Sequence, residues 1–165
     1  MSSLKIRKTD FEEVYDKYSD LLYRLALSHI GNAHDAGDTV HDVFATYIEK
    51  SYTFKDDEHE RAWFVRVTVN RCHDFLRKQK HRNHLSLDDI RSLSENENSN
   101  LPMILVSIGD LSEKYKTVIV LHYLEGYSIG EISSMLSISV SAVKMRLSRG
   151  KEFLKKQLEK EEDYV

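Results

Sequence analysis

The sequence of 165 residues contains a single cysteine, Cys72, one proline and six glycines. One cysteine excludes an intrachain disulfide and a cysteine-rich zinc site, and it is typical of a protein from the reducing cytoplasm. The scarcity of proline and glycine removes the residues that most often interrupt helices. No run of about 18 apolar residues occurs, so we expect no membrane-spanning helix. The polar N-terminal segment also lacks the apolar stretch of a secretory signal.

Motifs for catalysis and for cofactor binding are missing as well. The chain has no glycine-rich phosphate loop, no strained nucleophile turn and no HExxH pair. One cluster of possible metal ligands is present, and it comprises Cys72, His73, His81 and His84. Its first two members are adjacent, however, and adjacent side chains on a helix point in different directions. We therefore predict no metal, no cofactor, no catalytic residues and no enzymatic activity.

The charges of the chain are unevenly distributed, although the net charge is only −3. Residues 10–60 hold thirteen acidic and four basic side chains, whereas residues 61–84 hold seven basic and one acidic. Residues 86–113 are again acidic, and residues 139–157 are again basic. This alternation is typical of a protein that touches nucleic acid at two separate places and another partner between them.

Apolar residues recur every three or four positions along most of the chain, which predicts an all-α fold. Two polar stretches interrupt the pattern, at residues 51–60 and 84–100. We predict two small helical domains, residues 10–83 and 101–159, joined by a flexible acidic linker over residues 84–100. The predicted helices span residues 10–30, 33–50, 61–80, 113–124, 129–136 and 140–159, with a short helix after Pro102.

The C-terminal half has the sequence signature of a helix-turn-helix. Ser128 and Glu131 are spaced as a capping box, which opens a short helix. A tight turn over residues 137–139 follows, and Ser139 is placed to cap a basic final helix. The predicted core of this unit comprises Ile132, Leu136, Ile138, Val143, Leu147 and Leu154. The exposed side of the last helix is then left with Ser141, Lys144, Met145, Ser148, Arg149 and Lys151. Such side chains can neutralise phosphates and reach base edges, and the helix-turn-helix context favours this over an ordinary solvated basic face.

The third predicted helix is a second basic site, and it also carries aromatic residues. Trp63, Phe64 and Phe75 lie among its arginines and lysines. Aromatic rings beside cations suit melted nucleic acid, whose bases can stack or be held flipped out. The alternative is that the aromatic residues belong to the core, which we expect for Phe64 and Phe75.

The second predicted helix carries an acidic face. Asp35, Asp38 and Asp42 fall at positions i, i+3 and i+7, so their carboxylates lie on one side. A face of this kind is usually solvated or docked on a basic partner.

Three runs of this sequence together resemble the sigma-70 family of bacterial transcription initiation factors. Residues 22–50 resemble the core-binding part of sigma region 2, with the segment DAGDTVHDVF standing near the family pattern. Residues 61–82 resemble the helix that reads and melts the −10 element, and residues 110–158 resemble region 4, which binds the −35 element. Both modules in this order, without further regions, resemble the extracytoplasmic-function group.

The resemblance implies partners and contact residues. The partners are promoter DNA, the clamp helices of the largest subunit of core RNA polymerase, the flap of its second-largest subunit, and a cognate anti-sigma factor. The polymerase contacts implied on region 2 are Asp38, His41, Asp42 and Phe44. The −10 contacts are Trp63, Asn70, Arg71, Asp74, Arg77 and Lys78. The −35 contacts are Ser141, Lys144, Met145, Arg146, Ser148 and Arg149.

The sequence departs from the family pattern at several positions. His41 stands where glutamine is usual, Ser137 where glycine is usual and Gly150 where alanine is common. We expect Gly150 to loosen the last helix slightly. A stand-alone helix-turn-helix regulator is the alternative function, but such a regulator has no need of the acidic face.

Overall fold

The structure is a computed structural model that describes residues 8–50, 52–79 and 108–162. In these ranges every regular element is helical, which confirms the all-α prediction. The α-helices are α1 (Lys8–Ile30), α2 (Ala33–Lys50), α3 (Asp57–Lys78), α4 (Glu113–Ile119), α5 (Ile129–Leu136) and α6 (Val140–Glu162). Helix α4 continues into a five-residue π-helix, Val120–Leu124. No helix in the described ranges is both long enough and apolar enough to cross a membrane. The predicted linker, residues 84–100, lies outside the described residues.

Helix α3 begins earlier than the sequence pattern predicted. The prediction placed its start at residue 61, but the helix starts at Asp57. Asp56 is the N-cap, and its Oδ1 accepts a hydrogen bond of 2.8 Å from the backbone N–H of His59. Acidic side chains in the first turn also favour a helix N-terminus, because the helix dipole is positive there. The polar composition that suggested a loop is therefore the composition of a capped first turn.

Helices α1, α2 and α3 pack around a core of aliphatic and aromatic side chains. Phe64 of α3 is fully buried at its centre. Its ring lies 4.7 Å from that of Tyr18, 5.4 Å from Phe44 and 5.2 Å from Tyr47, measured between centroids. These separations are those of favourable aromatic pairs. The prediction that Phe64 belongs to the core is confirmed.

Helices α5 and α6 form the predicted helix-turn-helix. The capping box is present: Ser128 Oγ accepts from the Glu131 N–H, and the Ser128 N–H donates to Glu131 Oε1, both at 3.1 Å. Ser137 ends α5 with φ of 55°, in the left-handed region that usually requires glycine. Ser139 Oγ then accepts from the Ala142 N–H at 3.0 Å and caps α6. The turn therefore forms without the glycine that the family pattern has at this position.

Gly150 of α6 packs closely against α4. It is buried, and a Cβ built on it would lie 3.1 Å from the side chain of Ile119. The expectation that Gly150 merely loosens its helix was incomplete, because the missing side chain also lets the two helices pack together. Gly37 in α2 differs, since a Cβ there would meet nothing within 4 Å.

Replacing Gly37 by alanine is expected to stabilise the protein by about 0.5–1 kcal/mol, because alanine has the higher helix propensity. The matched change Gly150→Ala should gain less or should destabilise, because its methyl group presses on Ile119. Urea unfolding of the two variants measures the difference. Equal stabilisation by both would contradict the packing described for α4 and α6.

Candidate nucleic-acid and partner interfaces

Helix α6 presents a basic strip to solvent. Lys144, Ser148 and Arg149 are exposed, and Met145 among them is 46% exposed. Ser141 is also exposed, at the start of the helix, whereas Arg146 is half-buried. The opposite side of α6 is held by Val143 and Leu147, which are buried. All but one of the predicted −35 contacts therefore lie fully on the surface, on a helix fixed by its own core.

The C-terminal half of α3 is a second exposed polar surface. Asn70, Asp74, Arg77 and Lys78 are exposed, and the guanidinium of Arg77 donates to the carboxylate of Asp74. Arg71 is half-buried, and its Nη2 donates to Thr46 Oγ1 of α2 at 2.6 Å. Arg71 is thus partly committed to the packing of α3 against α2, and the other four side chains are free to meet a ligand sterically.

Trp63 lies in a cluster of aromatic rings between α2, α3 and the segment that joins them. Its ring centroid is 4.9 Å from that of Tyr52, 5.8 Å from Phe54 and 4.9 Å from Phe64. Trp63 is half-buried, while Tyr52 is 39% exposed. The cluster is therefore buried on one side, at Phe64, and exposed on the other, at Tyr52. The exposed aromatic side can stack on an unpaired nucleobase.

The acidic face of α2 is largely exposed to solvent. Asp38, His41 and Asp42 lie on the surface, and His34 Nε2 is 3.3 Å from the Asp38 carboxylate. Phe44, the fourth predicted polymerase contact, is only 3% exposed and packs in the core of α1–α3. Its place in the structure is beneath the acidic face, where it fixes the helix that carries the face.

The N-terminal half of the chain (α1–α3) packs against the C-terminal half (α4–α6) through ion pairs that the sequence did not suggest. Arg24 of α1 makes two hydrogen bonds to the carboxylate of Glu125, of 2.5 Å and 3.0 Å. Arg61 of α3 reaches Glu131 of α5 at 3.2 Å, and its guanidinium lies over the ring of Tyr127, 4.6 Å from the centroid. Paired hydrogen bonds of arginine with a carboxylate are among the stronger polar contacts in proteins.

The same interface holds a buried histidine. His29 of α1 is 2% exposed, and its Nε2 lies 2.9 Å from Thr117 Oγ1 of α4. Burial lowers the pKa of His29 to about 3, with the charges of Lys116 and His73 as smaller causes, so the ring is neutral near pH 7. His73 of α3 stands beside it, with 5.7 Å between ring centroids. Polar groups from both halves of the chain are therefore enclosed together.

No sequence signal identified the residues of this interface in advance. Arg24, His29 and Glu125 each read as a polar residue on an amphipathic helix, and their partners are about ninety to a hundred positions away. Pairs so distant in sequence are set by tertiary packing, which periodicity does not report. One weak signal was present: His29 interrupts the apolar run near the end of α1.

Comparison with known protein families identifies both halves of the chain. The profile of sigma-70 region 2 matches residues 14–82, and that of sigma-70 region 4 matches residues 103–154. The chain is 30% identical to the ECF RNA polymerase sigma factor SigW of Bacillus subtilis, over 93% of each chain. It is also 30% identical to the sigma factor SigV of the same organism, over 85% of this chain and 86% of that one.

Solved structures show the same arrangement of helices. The chain resembles CnrH, solved in complex with the cytosolic domain of CnrY, with a TM-score of 0.72 and 25% identity over 93% of this chain and 90% of that one. It shares the fold of the sigma factor RpoE from Bartonella quintana, solved with the anti-sigma factor NepR, with a TM-score of 0.67 and 17% identity. That match covers 91% of this chain and 97% of the other.

The pair of Arg24 and Glu125 is expected to hold the two halves together. In Arg24→Ala the carboxylate of Glu125, whose side chain is 10% exposed, loses this arginine, which costs on the order of 1.5–3 kcal/mol of interface free energy. Hydrogen exchange of the amides in α5 should then be about tenfold faster or more. The control is Lys17→Ala, which removes the ion pairs of an exposed lysine with Asp57 and Glu60, all within the N-terminal half. Unchanged exchange in Arg24→Ala would show that the pair does not hold the interface.

Proposed function

Because this chain belongs to the sigma-70 family, as an ECF sigma factor that directs RNA polymerase to promoters, we propose how its two halves divide that work. Residues 10–83 act as region 2, which binds core polymerase and reads and melts the −10 element. Residues 101–159 act as region 4, which reads the −35 element. Residues 84–100 connect them.

The basic strip of α6, presented by a capped helix-turn-helix, is the observation that carries the proposal. A recognition helix must be rigid and must leave its outward side free. The capping box and the caps of the turn supply rigidity, and the exposed Lys144, Ser148 and Arg149 supply the contacts. Lysine and arginine bind phosphates, and arginine and serine also reach base edges in the major groove.

The aromatic cluster at Trp63 and the exposed end of α3 support the −10 assignment. Melted DNA exposes bases whose faces need a stacking partner, and the rings of Trp63 and Tyr52 supply one. Arg77 and Lys78 lie about four turns further along the same helix, where they can meet the backbone of the separated strand. The acidic segment before α3 repels phosphate. The basic residues at the C-terminal end of α3 compensate for this repulsion.

Simultaneous binding of both elements requires the two halves to separate. A compact chain of this length has a radius of gyration of about 15 Å, hence a width of roughly 40 Å. The −35 and −10 positions lie about 25 base pairs apart, or roughly 85 Å along B-form DNA. The 28 residues between Gln79 and Ile108 can reach about 90 Å when fully extended. The packed arrangement is therefore a resting state, and polymerase and promoter hold the open one.

The acidic face of α2 is the proposed dock for polymerase. Asp38 and Asp42 are exposed, so basic side chains of the clamp helices can approach them. His41 is exposed beside them and adds a hydrogen-bonding group. The flap contact of region 4 and a cognate anti-sigma factor follow from the family, and the RpoE relative was solved with an anti-sigma factor. Reliance on polymerase for affinity also explains a DNA reader whose net charge is −3.

The −35 assignment predicts that Lys144→Ala with Arg149→Ala lowers promoter-dependent transcription at least several-fold and leaves core binding intact. Two phosphate or base contacts would be lost, and the salt dependence of promoter binding should weaken accordingly. Run-off transcription with core enzyme and co-purification with core measure the two effects. Lys155→Ala, an exposed lysine later on the same helix, serves as the matched control. Loss of core binding, or full transcription by the double variant, would contradict the assignment.

The dock on α2 predicts that Asp38→Arg with Asp42→Arg abolishes co-purification with core polymerase, because like charges would then meet at the contact. The fold should be retained, since both side chains are exposed. Asp16→Arg with Asp20→Arg on the exposed side of α1 makes the same charge change elsewhere. Co-purification of the α2 variant at the level of this control would rule the dock out.

The same variants distinguish a sigma factor from a stand-alone regulator. Such a protein would bind its DNA site without polymerase, and charge reversal on α2 would leave its activity unchanged. Run-off transcription on genomic templates with core enzyme, with and without this chain, separates the two functions and also identifies the promoter sequence.

A further inference from the structure

Three possible metal ligands from both halves of the chain meet in the interface. They are His29 of α1, His73 of α3 and Glu113 at the start of α4. One nitrogen or carboxylate oxygen from each lies within 4.8 Å of those of the other two. His29 is buried, and the other two are half-buried. The residues are far apart in sequence, so only the packing of α1, α3 and α4 assembles the group.

The hydrogen bonds around His29 fix the state of its ring. Thr117 Oγ1 donates its hydrogen to the Glu113 carbonyl at 3.1 Å, so toward His29 it can only accept. The 2.9 Å contact is therefore a hydrogen bond donated by Nε2–H of His29, which leaves Nδ1 without a proton. That Nδ1 is buried and has no hydrogen-bond partner. A neutral histidine oriented by a hydrogen bond at one nitrogen, with a lone pair at the other, is the usual state of a metal ligand.

The second histidine, His73, also has a ring nitrogen without a hydrogen-bond partner. His73 Nε2 lies 2.8 Å from Glu113 Oε2, which is the distance of an ion pair. It nevertheless has no hydrogen-bond partner, so the oxygen lies away from the direction in which a ring N–H would donate. Two buried ring nitrogens without partners in one cluster are costly unless something satisfies them.

We propose that His29, His73 and Glu113 form a binding site for a divalent transition metal ion, with Zn²⁺ as the expected occupant. Two imidazole nitrogens and one carboxylate are a common ligand set for zinc with three protein ligands, and a water completes it. Ligand atoms around one zinc ion lie about 3.3 Å apart, so closure from 4.8 Å needs side-chain movements of about 1 Å. The bound ion joins α1 and α3 to α4 and therefore stabilises the packed arrangement. The proposal rests on this packing alone and does not depend on the proposed DNA and polymerase contacts.

Charged neighbours set the expected strength of the site. The carboxylate of Glu113 favours a cation, whereas Lys116 is buried on the same helix and opposes one. Cys72 does not belong to the cluster, although it is adjacent to His73 in the sequence. These conditions favour moderate affinity and reversible binding over a permanently held structural ion.

A second cluster provides the matched control. His34, Asp35 and Asp38 on α2 also have ligand atoms within 4.8 Å of one another, but His34 and Asp38 are exposed and Asp35 is half-buried. The imidazole of His34 and the carboxylate of Asp38 already meet in solvent, 3.3 Å apart. His34→Gln therefore removes a histidine from a comparable group of ligands without touching the interface.

The test is titration of the untagged full-length protein with Zn²⁺ by calorimetry and with Co²⁺ by visible absorption. We expect one ion per chain, ligand-field bands typical of low coordination number, and a rise in the thermal midpoint on adding Zn²⁺. In His73→Gln the affinity should fall at least tenfold and the thermal shift should vanish, while His34→Gln behaves like the original protein.

Glu113→Gln is the second variant, since it keeps the shape of the side chain and removes its charge. Circular dichroism confirms that each variant is folded, and if His73→Gln is unfolded the comparison passes to Glu113→Gln. Failure of the original protein to bind either ion stoichiometrically would overturn the proposal. The proposal would also be overturned if His73→Gln and Glu113→Gln both kept the affinity of the original protein, or if binding were lost only in His34→Gln.

Discussion

The packing of α3 against both halves of the molecule is the constraint on which the other features depend. One side of this helix buries Phe64 and Val65 in the core with α1 and α2. A second side meets α5 through Arg61 and, at 3.2 Å from Ser137, through Arg66. The remaining side, which carries Trp63, Asn70, Asp74 and Arg77, is left for a ligand. Because two sides of this helix pack against other helices, few of its positions can change without affecting the packing. Its basic residues lie partly in the interface and partly on the surface.

The interface between the halves contains polar contacts beside apolar ones, and the polar contacts decide how it responds to the loss of a partner. Ion pairs and enclosed polar groups hold well when every partner is present and weaken steeply when one is lost. The contacts of Arg24, Arg61 and His29 thus suit two modules that pack at rest and separate on a larger assembly. Such an interface can be biased by any ligand that prefers one of the two arrangements.

The sequence predicted what depends on local pattern. Helix α2 has its predicted bounds, and the capping box at Ser128 and the cap at Ser139 are confirmed, because each needs only residues a few positions apart. The start of α3 was misplaced because a capped acidic turn and a polar loop share a composition. The gathering of His29 with its distant partners was not predictable, since it depends on which helix faces come together. The exposed −10 and −35 residues stay predictions at the level of contacts.

The π-helix at Val120–Leu124 sets the angular phase of everything that follows it. A π turn holds one residue more than an α turn, and each residue of an α-helix advances the side chains by about 100°. Glu125 comes immediately after this wide turn, and its angular position brings it to Arg24. A deletion of one residue here would restore a regular helix and rotate Glu125 away from its partner. The length of this segment is therefore constrained as well as its composition. Neighbouring side chains can repack around a substitution within it, whereas an insertion or deletion would reorient the whole helix-turn-helix.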